Sequence, residues 1–213
     1  MNSTQQTLNA INNLLLDQFP DTVLMKGEGK APTIAHKSKT IDELRAIYAH
    51  DFTRTNEGDV WGLLLGKDMV AVDFDDPQKY TEWSTKFPEL VSCPLETTKK
   101  GHHCFFKNDS DYTNKTGIDQ KVDFLAIERS GTRRYVVIAP SPDKSWVNPL
   151  ATTPVKSMSD ELKAFLVQID GATKRPKNNA RSEQQSTKKE SGKGGDLLSL
   201  NVIRNILASI DPK

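Results

Sequence analysis

The chain has 213 residues, 36% of them hydrophobic and 27% charged, which is enough for one good-sized domain plus appendages. A net charge of +1 announces no nucleic-acid binder, and the two cysteines, Cys93 and Cys104, exclude a disulfide framework. No apolar run approaches the ~20 residues of a membrane helix, and Met1 to Gln6 lack the basic and apolar parts of a signal peptide. The expectation is a soluble intracellular protein acting in the cytoplasm or at a site of DNA replication, with no membrane partner.

In chain order, Leu8, Ile11, Leu14, Leu15 and Phe19 form the apolar stripe of a helix over residues 4–19. A short strand near Val23–Met25 follows. Thr40-Ile41-Asp42-Glu43 has the capping-box pattern that opens a helix over 40–50. Strands are expected at 61–65 and 69–75. Asp76-Pro77 then supplies a cap and a first-turn proline for a helix over 77–87. Further strands are expected at 102–107, 121–127 and 134–139, and a helix at 159–168 after Ser159. The pattern is mixed α and β without a repeat, and no glycine-rich loop of the Walker or dinucleotide type is present.

Charge divides the chain. Residues 1–170 hold 20 basic against 24 acidic side chains, a net of −4, whereas residues 171–195 hold seven against two, a net of +5. That second stretch contains no large apolar residue and cannot bury enough surface to offset its ordering entropy, so it reads as a flexible basic linker. From Leu197 to Ile210 a helical apolar pattern returns. Residues 196–213 therefore read as the start of a C-terminal helical region that continues in a longer protein.

Three segments carry candidate chemistry. In Val70-Ala71-Val72-Asp73-Phe74-Asp75, strand alternation puts Val70, Val72 and Phe74 on a core face, with Ala71, Asp73 and Asp75 on the other. Two carboxylates at that spacing, roughly 6.5–7 Å apart at Cα, converge on hard divalent cations. The bland alternative is strand termination and helix capping, which suits Asp76 better than Asp73. In Lys99-Lys100-Gly101-His102-His103-Cys104, His102 shares a face with Cys104 while His103 points the other way. Gly101 removes a side chain where a ligand approaches, and the lysines suit phosphate. Either histidine alone fits a satisfied core position equally well. Because adjacent strand residues diverge, Cys93, His102, His103 and Cys104 do not make a zinc site. In Lys121-Val122-Asp123-Phe124, an acid again interrupts an apolar strand, and a metal shared with Asp73 and Asp75 would supply its partner. Arg129, Arg133 and Arg134 are candidate phosphate contacts, with solvent exposure as the alternative.

The order of these pieces resembles the archaeo-eukaryotic primase superfamily, in the prim-pol branch of viral, phage and plasmid replication proteins. Gly29-Lys30-Ala31-Pro32, Trp61 to Gly66, and Tyr135 to Ser141 resemble its flanking segments, and the likeness covers about residues 20–145. Two positions depart: Gly101 stands where a serine is frequent, and Arg129-Ser130-Gly131-Thr132-Arg133 replaces a glycine-rich turn. The resemblance implies an α+β core with a sheet related to the RNA-recognition motif, joined to a smaller α/β module, over residues 1–170. It implies Asp73, Asp75 and Asp123 as catalytic ligands of Mg2+ or Mn2+ in a two-metal site. His103 would contact the nucleotide's triphosphate, with Lys100, Lys99, Gly101 and Lys30 as further nucleotide contacts. Arg129, Arg133 and Arg134 would meet nucleic acid. The implied function is a DNA primase/polymerase using nucleoside triphosphates on a single-stranded DNA template, with a fused helicase ATPase beyond Lys213. A metal-dependent nuclease and a non-catalytic nucleic-acid-binding module are the rival readings.

Overall fold

The computed structural model describes residues 3–173. Helix α1 (Ser3–Gln18) buries Leu8, Ile11 and Leu15, the stripe expected of it. Strand β1 (Val23–Glu28) turns back through β2 (Ala31–Pro32). Helix α2 (Ile41–Phe52) opens on the complete capping box: Glu43 donates its backbone N–H to Thr40 Oγ1 at 3.2 Å, and Thr40 donates its own to Glu43 Oε2 at 2.7 Å. After β3 (Val60–Leu65) and β4 (Met69–Phe74), Asp76 caps α3 (Pro77–Lys86) by accepting the Gln78 N–H at 2.9 Å. The short α4 (Glu89–Ser92), β5 (Leu95–Thr97) and β6 (His102–Lys107) follow. The chain continues through β7 (Lys115–Asp119), β8 (Val122–Leu125), β9 (Arg134–Ile138) and β10 (Ser145–Asn148) to α5 (Asp160–Thr173).

Within the described residues, every element expected from the sequence is present, within a few residues at its ends. Strands β2, β5, β7 and β10 and helix α4 were not legible, because each has five residues or fewer and shows no period of its own. Helix α5 runs on to Thr173, three residues into the stretch read as linker. The remainder of the expected linker, and the expected helical region at 196–213, lie outside the described residues. Among the described residues no helix is long and apolar enough to cross a membrane.

The strands form two antiparallel sheets, one of six strands in the order β10-β5-β6-β4-β8-β7 and one of four in the order β2-β1-β3-β9. In the larger sheet, α3 crosses from β4 to β5 and β6 fills the gap between them, the split βαβ arrangement of ferredoxin-like sheets. This is the α+β fold that the resemblance implies.

Alternation along the central strands decides what each face meets. Val70, Val72 and Phe74 of β4, with Cys104 and Phe106 of β6, pack under α3, α4 and α5. There Trp83 stands edge-on to Phe74 at 5.4 Å and to Phe165 at 4.9 Å between ring centres. Met69, Ala71 and Phe105 point the other way and join Leu63, Leu65, Val136 and Ile138 of the smaller sheet, together with α1. Helix α2 covers the outer face of that smaller sheet through Leu44, against Val23, Met25 and Leu64.

Two substitutions separate packing from capping. Trp83→Ala empties a site that is 1% exposed and is expected to cost about 3–5 kcal/mol, whereas Thr40→Ala loses only a surface cap, about 1 kcal/mol. Urea unfolding of both variants checks the ranking, and equal losses would contradict it.

Candidate functional site

The register of the larger sheet sets four titratable side chains in one row. Glu96 of β5 lies opposite His103 of β6, His103 opposite Asp73 of β4, and Asp73 opposite Asp123 of β8. Residues directly opposite in antiparallel strands share a face, with neighbours roughly 4.5–5.5 Å apart. Asp75 follows two positions after Asp73 and so faces the same way; its backbone N–H donates to Lys121 O at 2.9 Å, which prolongs the pairing with the β8 hairpin. On this face Ala71 and Phe105 are sealed against the smaller sheet. The acidic row lies where that seal stops and a cavity of about 270 Å³ begins. Asp73, Asp75 and His103 line it, Tyr135, Val136 and Val137 of β9 contribute from the other sheet, and Lys30, Lys99, Lys100 and Lys144 stand around it.

His103 is held at both ring nitrogens. Its Nδ1 lies 2.6 Å from Glu96 Oε1 and its Nε2 lies 3.2 Å from Asp73 Oδ1. Burial opposes a charge on this ring, but the hydrogen bonds to Asp73 and Glu96 and the negative charge of both acids outweigh it, so the pKa lies above the usual 6.5. Glu96 is fully buried and also accepts the Ala139 N–H at 2.8 Å and the Lys144 ammonium at 3.3 Å. Two cations thus face two carboxylates in the buried part of the row, the pairing that buried charge requires. Beyond it, Asp73 keeps 22% of its side chain exposed and Asp75 lies open.

Most of the residues singled out in the sequence meet here, and some do not. Asp123 is opposite Asp73 in register, yet its Oδ1 accepts the Gly117 N–H of β7 at 2.5 Å and it does not line the cavity. Among the described residues no three His, Cys, Asp or Glu side chains converge as a metal-holding group. Like charges side by side repel, and Asp73 has the His103 ring and Asp123 the Gly117 N–H as donors on their own flanks. The donor set still fits a hard divalent cation in kind, being oxygen ligands on neighbouring positions of one face.

A Cβ at Gly101 would sit 1.9 Å from the Phe74 carbonyl oxygen, so the missing side chain admits the neighbouring strand. Lys99 and Lys100 form the tip of the β5–β6 turn, where Thr98 N–H donates to Gly101 O at 2.8 Å. The three arginines are not brought to the cavity. Arg133 Nε donates to Asp21 O and Arg134 pairs with Glu128, both at 3.4 Å, and Arg129 is exposed on its turn. His102 points to the opposite face from His103, stacked on Tyr80 at 4.0 Å, where burial and then the neighbouring His103 push its pKa below 6.5.

Glu96, Lys144 and Tyr135 were missed as site residues. An acid between Leu95 and Thr97, just after Cys93-Pro94, was the available signal for Glu96, but a strand of three residues displays no alternation to make it stand out. Lys144 carried no signal at all, since its role arises from a partner in a distant strand.

His103 and His102 should titrate on opposite sides of 6.5, as read by NMR of the ring protons. With the folded pKa of His103 raised, its stabilising contribution is complete below the unfolded value of about 6.5 and is lost as pH rises through the folded value. Unfolding free energy should therefore fall over that interval in the wild type, and the fall should vanish in His103→Phe. Persistence of the same slope in that variant would show another group to be responsible.

No curated protein sequence matches the chain. Residues 15–161, well over half of it, do match a family model described as bifunctional DNA primase/polymerase, N-terminal. That match begins in α1, ends in the first turn of α5, and encloses both sheets and the whole Glu96-to-Asp123 row. A two-sheet α+β core with acids and a histidine gathered at the seam is what the matched span folds into, and the chain belongs to the Prim-Pol family of bifunctional DNA primase/polymerase N-terminal domains.

Proposed function

We propose that this domain transfers nucleotides from nucleoside triphosphates to a 3′-hydroxyl, directed by a single-stranded DNA template, as the nucleotidyltransferase core of a replication protein. Membership of the family supports primase/polymerase activity. The observation that carries the finer reading is the cross-strand row of His103, Asp73 and Asp123 beside a cavity rimmed by four lysines. Carboxylates and ammonium groups lining one cavity suit a triphosphate bound through cations.

In this reading Asp73, Asp75 and Asp123 would hold Mg2+ or Mn2+. Such cations, when bound, neutralise phosphate charge and ease deprotonation of the attacking hydroxyl. The chain's own part is positioning and electrostatics. His103 Nε2 and the ammonium groups of Lys30, Lys99, Lys100 and Lys144 donate to phosphate oxygens. The 3′-oxygen forms a bond to the α-phosphorus, the bond from that phosphorus to the bridging oxygen breaks, pyrophosphate leaves, and the hydroxyl proton passes to solvent. Template contacts to phosphate weaken with added salt.

The double substitution Asp73→Asn, Asp75→Asn should reduce nucleotide incorporation on a primed single-stranded template by several orders of magnitude, with unchanged circular dichroism. Extension of labelled DNA by the wild type in Mg2+ or Mn2+ supports the reading. Shortening of the DNA without nucleotides points to a nuclease, and binding without either change points to a non-catalytic module. Full incorporation by the double variant would refute the assignment of these acids.

A further inference from the structure

One buried carboxylate is not accounted for by metal or phosphate binding. Glu96 is 0% exposed and does not line the cavity, so it touches neither substrate nor solvent. It nevertheless accepts three hydrogen bonds from three separate segments: His103 Nδ1 on β6, the Ala139 N–H just past β9, and Lys144 in the turn before β10. The first donor belongs to the larger sheet, and the second to the end of the smaller one. A carboxylate can only accept, so the ring donates through Nδ1 to Glu96 and through Nε2 to Asp73, and the Nε2 N–H is turned along the row towards the cavity. A core position beside Leu95 and Ala139 has no packing need for a charge, and removing it would leave donors on both sheets without an acceptor.

We infer that Glu96 is a positioning residue: it fixes the ring orientation of His103, so that Nε2 is presented to the nucleotide's phosphates, and ties that orientation to the closed arrangement of the two sheets. This inference rests on the nucleotide-binding reading given above. Ala139 and Lys144 flank the short segment that joins β9 to β10, and Lys144 itself lines the cavity. The same carboxylate therefore aims a ring nitrogen from one side of the cleft and an ammonium group from the other. An imidazole free to rotate about its side-chain bonds would reach phosphate only part of the time, a loss felt in binding more than in the chemical step.

The test has two arms. In ring nitrogen–proton correlation NMR of the wild-type domain, His103 should show a protonated, slowly exchanging Nδ1, and that signal should be lost or exchange rapidly in Glu96→Leu. In primed-template assays, Glu96→Leu should raise the KM for nucleoside triphosphate on the order of 10- to 100-fold, with a smaller change in kcat and unchanged single-stranded DNA affinity. Glu96→Asp should recover part of the loss. In a background lacking both aimed side chains, His103→Ala with Lys144→Ala, Glu96→Leu should add nothing further to KM. Additive effects in that cycle would make Glu96 a general stabiliser and overturn the inference. So would a wild-type His103 unprotonated at Nδ1, a measurement that needs no variant to fold. A wild-type domain with its Nδ1 proton in place but no nucleotide binding or incorporation would sink the polymerase reading instead, so the two failures are told apart.

Discussion

A carboxylate with no access to water holds this structure's two halves to one geometry. Glu96 sits between the sheets with His103, Lys144 and the Ala139 N–H as its donors, and no solvent to substitute for any of them. Buried charge of this kind is costly unless every lone pair finds a partner, which makes the arrangement all-or-none. The row that continues through His103 and Asp73 to Asp123 inherits its alignment from this point. Glu96 holds His103 and His103 meets Asp73, and exposure rises along the row from buried Glu96 and His103 to half-buried Asp73 and Asp123.

The cleft exists because one face of the larger sheet changes character partway along its strands. Met69, Ala71 and Phe105 seal against the smaller sheet, and two residues further on the same face carries Asp73 and His103. Apolar side chains pull the sheets together, while charged ones keep them from closing over the row. The other face of the same strands is apolar throughout β4, from Val70 to Phe74, and is roofed by three helices. A sheet anchored so firmly on one side can tolerate an open, charged edge on the other without losing its shape. The site is thus built on rigid strands, with only the lysine-bearing turn at Lys99 and Lys100 and the Pro142–Lys144 segment as its looser rim.

Much of this was readable before any coordinates. Alternation in Val70 to Asp75 assigned each side chain to its face, and the capping residues Thr40, Asp76 and Ser159 marked the starts of three helices where the structure has them. The opposed faces of His102 and His103 followed from adjacency alone. What was not readable has identifiable physical reasons. The space that Gly101 leaves open is taken by the Phe74 backbone of the neighbouring strand. The arginines at 133 and 134 looked available because their partners, the Asp21 carbonyl and Glu128, are chosen by how the loops fold back. Strand β5 was too short to register, and with it Glu96 went unnoticed.

The division between the two sources of information follows the range of the interactions concerned. Local rules act within a few residues, so sequence alone determined the helix starts, the face on which each acid lies and the separation of apolar from polar surface. Which strand lies beside which is set by backbone hydrogen bonds between segments far apart in the chain, and no local period encodes it. The pairing of Asp73 with both His103 and Asp123, the diversion of Asp123 to Gly117, and the meeting of Glu96 with Ala139 across two sheets were therefore decided only when the tertiary structure formed.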